Sequence, residues 1–339
     1  MALLDETHEN RSFNSILSAS VDAAGDLAYE RFCTPHLSDR RASDHEAQVS
    51  RTRKHLRHAT QRMVETRDGK VCTYILEPEK AASNSGPVET VLVIHGWTCE
   101  ASFMAMIAES LRRAGFRVLL VDLPAHGLSP GVTTSIVSCA RAVTDVIDHY
   151  GSVDFTVSHS LGGLVSLLAS AGGKAVGKAR PMRGYVFISM PNDFCDIMTE
   201  FADSLRLSGT AVLEFEKRLE HTAQYPLHEL NAARFIRRIN RPALLIHCAD
   251  DNEVTIENAH DVAAAGKNVQ VEEVRGLGHR KILFASNVAR NTARFLKQLS
   301  SETCKTSAAP LNVSAFKNAE RIVSQPSGDY RQQGVSAQA

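Results

Sequence analysis

The chain has 339 residues, 43% of them hydrophobic and 22% charged, which is the balance of an ordinary globular protein of one large or two small domains. It carries 38 basic and 38 acidic residues, so its formal net charge is zero. A domain built to grip nucleic acid shows a basic excess, and that class of partner is set aside.

The opening MALLDETHEN places acids at Asp5, Glu6 and Glu9, where a secretory leader would have a basic region followed by an apolar run. The apolar runs are too short to cross a bilayer. The seven cysteines lack C-x-x-C spacing and outline neither a disulfide framework nor a zinc site. The expectation is a cytoplasmic protein with reduced thiols, no bound metal and no membrane span.

Residues 1–64 are polar and charged and read as a separate N-terminal helical extension. Phe13, Ile16 and Leu17 have helical spacing, and Arg51, Arg53, Lys54, Arg57 and Arg62 form a basic run read as a solvated helix face. A turn at Asp68-Gly69 then leads into an alternating strand at 71–76. Continuous apolar runs follow at 91–94 and 118–121. Between them Phe103, Ile107 and Leu111 recur every four residues in a helix that Gly115 ends. A second helix covers 136–147, and further apolar runs occupy 153–157, 185–188, 243–246 and 269–274. Strands with no polar face are buried on both sides, as in a parallel sheet, and the alternation with helices supplies the crossovers. The fold class is therefore α/β, a mostly parallel sheet flanked by helices, over residues 65–299. The stretch 191–241 is too long for one crossover, whose loops run about 2–6 residues. Phe194, Met198, Phe201, Leu205, Leu213 and Phe215 mark it as a helical cap insertion. Residues 300–339, rich in Ser, Ala, Gln and Asn, read as a flexible tail.

The run at 153–157 is followed by Ser158-His159-Ser160-Leu161-Gly162-Gly163 and then by a helical pattern. This is strand, tight turn and helix with a serine at the apex. Such a turn pushes the hydroxyl clear of the backbone, and the start of the helix favours negative charge there. The segment resembles the G-x-S-x-G nucleophile elbow of the α/β-hydrolase superfamily, with Ser158 in place of the first Gly. The resemblance implies Ser160 as nucleophile, followed in chain order by an acid and a base. His247-Cys248-Ala249-Asp250-Asp251-Asn252-Glu253-Val254 is similar to the family's H-G-x-x-D-x-x-V, with Cys248 in the place of Gly. That register puts Asp251 at the acid position, with the adjacent Asp250 and the more distant Asp193 as competitors. Gly276-Leu277-Gly278-His279 resembles the family's histidine loop and implies His279 as general base.

His95-Gly96-Trp97 resembles the oxyanion loop. It points to the backbone N–H of Trp97 as one donor, and the N–H of Leu161 after the nucleophile supplies the other. The Trp97 ring is read both as pocket lining and as core. His95 is read as a support for its loop, and His159 is expected to pack beneath the elbow. Asp122 to Ser129 matches a further loop of the superfamily, with no chemistry attached. The stretch Gly172 to Ala179 nearly fits a phosphate-binding loop but has Ala179 where the Mg²⁺-binding hydroxyl is needed. No cofactor is expected.

The resemblance implies a serine hydrolase that cleaves a carboxylic ester or thioester through an acyl-enzyme. Its partner is a small-molecule substrate with an apolar portion, and the sequence sets no oligomeric state. Competing readings are an acyltransferase with the same site, a lactone or C–C bond hydrolase, and a non-catalytic ligand-binding protein.

Overall fold

A computed structural model describes residues 20–35, 50, 53–79, 88–151 and 153–305. The expectations at Phe13, Ile16 and Leu17, and those for residues 306–339, lie outside these. The strands are β1 (Thr60–Thr66), β2 (Gly69–Leu76), β3 (Thr90–Ile94), β4 (Arg117–Val121), β5 (Phe155–His159), β6 (Gly184–Ile188), β7 (Ala243–Cys248) and β8 (Val269–Val274). They form one sheet in the order β1-β2-β4-β3-β5-β6-β7-β8. β3 to β8 run parallel to one another, while β1 pairs with β2 and β2 with β4 in antiparallel fashion. The α/β architecture read from the sequence is thus present. The chain moves from β3 outward to β4 and then returns to β5 on the other side. That reversal makes the carboxyl ends of β3 and β5 the place where a crevice opens.

β3, β5, β6 and β7 are buried along their whole length, which explains their unbroken apolar character. β8 is an edge strand and only half-buried. One sheet face is covered by α2 (Ala105–Arg113) and, after the short helix α9 (Gly278–Lys281), by α10 (Ser286–Lys305). The other is covered by α3 (Ile136–Tyr150), α4 (Leu161–Ala171), α7 (Ala232–Ile239) and α8 (Glu257–Ala265). Capping sets these boundaries. The Ser135 side chain accepts the Ser138 amide to start α3, and Gly151 at φ 85 ends it. Among the described residues no helix is long and apolar enough to cross a membrane.

Three expectations need correction. The sheet begins at Thr60, ahead of the boundary drawn at residue 64, because β1 and β2 form a hairpin through the expected turn. β1 hid from the hydrophobic pattern because Val64 is its one buried residue. Arg62 lies on this strand, and Arg53 pairs with Glu100 at 2.6 Å, so the basic run is not one solvated helix face. At the other end, α10 continues to Lys305, past the boundary drawn at 299.

The 191–241 insertion divides in two. α7 packs against α4 and α8 as the crossover helix to β7, whereas α5 (Phe194–Ser204) and α6 (Gly209–Ala223) form the cap. The cap has a further member from the N-terminal region. Helix α1 (Val21–Cys33), started by the Ser20 side chain accepting from the Ala23 amide, lies along α6. Ala24, Ala28 and Cys33 are buried there, and the Cys33 carbonyl accepts the Thr134 amide at 2.8 Å. The contact is close because Gly25 has no side chain. A Cβ at that position would stand 2.8 Å from Glu214 Cβ and 3.2 Å from the Phe215 backbone nitrogen. Gly25→Val should therefore destabilise the protein by about 1–3 kcal/mol through overpacking, less the ~0.5–1 kcal/mol regained by replacing a helical glycine. Urea unfolding monitored by circular dichroism measures this, and a neutral or stabilising result would contradict the close seating of α1.

Candidate active site

Ser160 sits between β5 and α4 with φ 51, in the left-handed region that a non-glycine residue rarely occupies. The turn is clamped on both sides: the Ser160 amide donates to the Ile188 carbonyl and the Gly163 amide to the Ser160 carbonyl, each at 2.9 Å. Glycines let the neighbouring chain approach. A Cβ on Gly96 would lie 2.9 Å from Ser160 Cβ, and one on Gly162 would lie 2.4 Å from the His95 carbonyl oxygen. Ser158 is fully buried where the family has Gly, and its hydroxyl makes no hydrogen bond among the described residues.

His279 Nε2 is 3.0 Å from Ser160 Oγ, and His279 Nδ1 is 2.9 Å from Asp251 Oδ2. With the carboxylate accepting from Nδ1–H, Nε2 is left to accept the serine proton. Asp251 Oδ1 accepts the amides of Glu253 and Val254 at 2.9 and 3.0 Å. Burial works to raise the Asp251 pKa, but the His279 hydrogen bond and charge and the two amides hold it down at about 2.

The competing acids have other partners. Asp250 accepts the Gly276 amide at 2.8 Å and the Cys248 thiol at 3.3 Å. Asp193 caps α5 through the Cys195 amide and accepts from Asn231, both at 2.9 Å.

The loop carrying His279 is tied down by groups the sequence did not reveal. Cys248 Sγ accepts the Leu277 and Gly278 amides at 3.4 and 3.1 Å, a role the family's Gly could not fill. Arg280 makes a two-pronged pair with Glu253, 3.0 Å on each side, which joins the loop after β7 to the loop after β8. Burial opposes the charge on Glu253, yet the Arg280 hydrogen bond keeps its pKa below the ordinary value. His159 does not simply pack beneath the elbow. It is buried there and also donates from Nε2 to the His279 carbonyl at 2.9 Å.

The His95-Gly96-Trp97 loop is fixed from below. His95 Nε2 accepts the Leu123 amide at 3.0 Å, so Nδ1 carries the proton and faces the Gly96 carbonyl at 2.7 Å. Asp122 binds the Ala101 and Leu128 amides and the Tyr74 hydroxyl, at 2.7, 2.9 and 2.8 Å, so the Asp122 to Ser129 segment is a structural brace. Among the described residues neither the Trp97 amide nor the Leu161 amide donates a hydrogen bond. Both stand beside Ser160, at the end of β3 and the start of α4.

The cleft over Ser160 has a volume of about 110 Å³. Trp97, Leu161 and His279 line its base, and Ile197 and Phe201 of α5 line one wall. The same wall continues into α1 and the residue after it through Arg31, Phe32 and Thr34, with the Phe32 ring against Phe201. The sequence reading missed this part of the wall, although Ala24, Ala28 and Phe32 recur every four residues and could have marked a docking stripe. Among the described residues no cluster of three or more His, Cys, Asp or Glu is arranged around a metal position.

Burial pushes His95, His159 and His247 below the ordinary histidine value and takes His126 to about 3. Each folded-state pKa lies below its unfolded value of about 6.5, so the unfolded chain binds protons first. Their stabilisation is complete above about pH 6.5 and is lost as pH falls. For His126 the loss should reach about 2 kcal/mol by pH 5. Urea unfolding of wild type and His126→Gln at pH 7 and pH 5 checks this, with wild type expected to lose about 2 kcal/mol more than the variant.

The sequence model of the Alpha/beta hydrolase family matches residues 91–294, more than half of the chain. No curated protein sequence matches it. Among solved structures, a membrane phospholipase A described as a bacterial virulence factor is similar at 15% identity and TM-score 0.55, covering 75% of this chain and 92% of that one. Est1E from Butyrivibrio proteoclasticus, with ferulic acid bound, is similar at 18% identity and TM-score 0.55, with 71% and 99% covered. Haloalkane dehalogenase DbeA from Bradyrhizobium elkani is similar at 14% identity and TM-score 0.54, with 72% and 99% covered. At these identities the structures share the fold and no more, but the family model rests on sequence. The chain belongs to the alpha/beta hydrolase family.

Proposed function

We propose that the protein is a serine hydrolase that cleaves a carboxylic ester or thioester through an acyl-enzyme on Ser160. The observation that carries this reading is the continuous contact Ser160 Oγ to His279 Nε2 at 3.0 Å and His279 Nδ1 to Asp251 Oδ2 at 2.9 Å. Ser160 Oγ attacks the substrate carbonyl carbon while His279 Nε2 takes its proton. The carbonyl oxygen gains negative charge and accepts from the Trp97 and Leu161 amides, which have no other acceptor among the described residues. The C–O or C–S bond breaks, and His279 returns the proton to the departing alcohol or thiol. Water then repeats the sequence on the acyl-enzyme and releases the acid. Asp251 stays ionised throughout, holds the imidazole tautomer and stabilises its charged form. The aromatic and aliphatic walls of the cleft suit a substrate with an apolar portion.

Ser160→Ala should abolish turnover of short aryl esters, and a fluorophosphonate should label Ser160. Labelling at another residue, or an active alanine variant, would overturn the reading. The adjacent acids should separate cleanly in steady-state kinetics. Asp251→Asn should lower kcat by about 10⁴-fold by breaking the tautomer control. Asp250→Asn weakens only a loop anchor and should cost about tenfold at most, the scale of one hydrogen bond. The reverse order would make Asp250 the acid.

A further inference from the structure

A second, smaller cavity of about 10 Å³ lies under the cap behind the cleft. Phe32, Trp97 and Leu161 line both spaces and form the partition between them. The inner cavity is walled mainly by Ile136, Phe194, Leu219, Ala223 and Leu227. Its polar lining is already engaged: Ser135 caps α3, and Thr134 Oγ1 meets Cys139 Sγ at 3.5 Å. At about 10 Å³ it holds no chain as it stands, but its apolar walls would suit one if a bordering ring were removed.

The partition also has a side. His279, Glu253 and Arg280 line the cleft but not the inner cavity, whereas Trp97 and Leu161 line both. The inner space therefore lies toward the proposed oxyanion donors and away from the general base. A leaving group must reach His279 to collect its proton, so a chain directed at the partition is the acyl portion.

Phe32 is held firmly. Its ring meets Phe201, Phe215 and Phe194 edge-on at 5.0, 5.4 and 5.9 Å between centroids, and lies 25° from parallel with Trp97 at 6.4 Å. The close seating of Gly25 against α6 fixes the helix that carries it. The cleft volume of about 110 Å³ lies below the roughly 150 Å³ of a cavity that admits benzene, which is room for an acyl group of a few carbons.

We propose that Phe32, on the N-terminal helix, ends the acyl pocket and sets the acyl-chain length of the substrate, admitting short acyl groups and stopping longer ones at its ring. This rests on Ser160 being the acylated nucleophile. Removing the ring would join the two cavities into one longer apolar channel past Trp97.

The test compares p-nitrophenyl acetate, butyrate and octanoate on wild type, Phe32→Ala and Phe32→Leu, with Leu213→Ala, an exposed position on the outer side of α6, as control. Wild type should favour the short esters. Phe32→Ala should raise the octanoate-to-acetate ratio of kcat/KM by about tenfold or more, mainly through the octanoate KM. Phe32→Leu should shift it in the same direction by less, and it carries the comparison if the alanine variant does not fold. Leu213→Ala should leave the ratio unchanged. An unmoved ratio in a folded, active Phe32 variant would overturn the proposal.

A second readout needs no turnover. Trp97 is the only tryptophan in the chain and borders both cavities, so its fluorescence reports occupancy. In a Ser160→Ala background, Phe32→Ala should bind sodium octanoate about tenfold tighter, and equal affinity would count against the partition. Wild type that cleaves no ester would overturn the hydrolase reading, while the fluorescence titration would still decide the role of Phe32.

Discussion

The turn at Ser160 is the constraint around which the molecule is arranged. Its φ of 51 costs about 1–3 kcal/mol for a residue with a side chain. The surrounding structure holds it. β5 is paired on both sides, by β3 and β6, and the Ile188 carbonyl holds the Ser160 amide. Gly96, Gly162 and Gly163 are required less for flexibility than for clearance, since a Cβ at any of them would strike Ser160, His95 or Met190. The glycines that make the motif recognisable are thus the points where three chain segments press together. Ser158 shows the tolerance of this packing: it is small enough to fit where the family has Gly, at the expense of a buried hydroxyl without a partner among the described residues.

The proposed chemistry was legible because residue type and order carry it. A serine in a strand-turn-helix, a carboxylate after β7 and a histidine after β8 need no knowledge of packing to be noticed. The register from His247 to Val254 favoured Asp251 over Asp250, but residue type alone does not separate two neighbouring carboxylates in a loop. Geometry separates them by what the other oxygen binds. Asp251 spends Oδ1 on two amides of its own loop and presents Oδ2 to His279, whereas Asp250 turns to Gly276 and Cys248. Cys248 was visible only as a departure from the family pattern. Its function as an acceptor for two amides of the histidine loop depends on contacts about 30 residues away in the chain.

The fold was legible where burial leaves a pattern. β3, β5, β6 and β7 announce themselves because both faces are covered. β1 does not, because an edge strand with Val64 alone inward is held by hairpin pairing rather than by apolar burial. The cap shows the same limit. Its helices have clear apolar faces, but those faces do not say what they meet, so the role of α7 as a crossover helix and the recruitment of α1 both escaped the reading.

That limit bears on how function is divided in this protein. Charge does little to hold α1 on the cap: its ion pair from Asp26 to Arg218 is half-exposed at both ends, and such pairs contribute about 0–1 kcal/mol. The helix is held by Ala24, Ala28 and Cys33 against α6 and by the aromatic cluster around Phe32. These contacts are short-ranged and depend on shape, which is why a small residue at position 25 matters. The groups of the proposed chemistry, by contrast, stand on loops at the ends of strands and are fixed by directional hydrogen bonds. The polar half of the cleft is therefore set by motif and the apolar half by packing. A change in α1 can reshape what enters the cleft without touching any residue that the motifs identify.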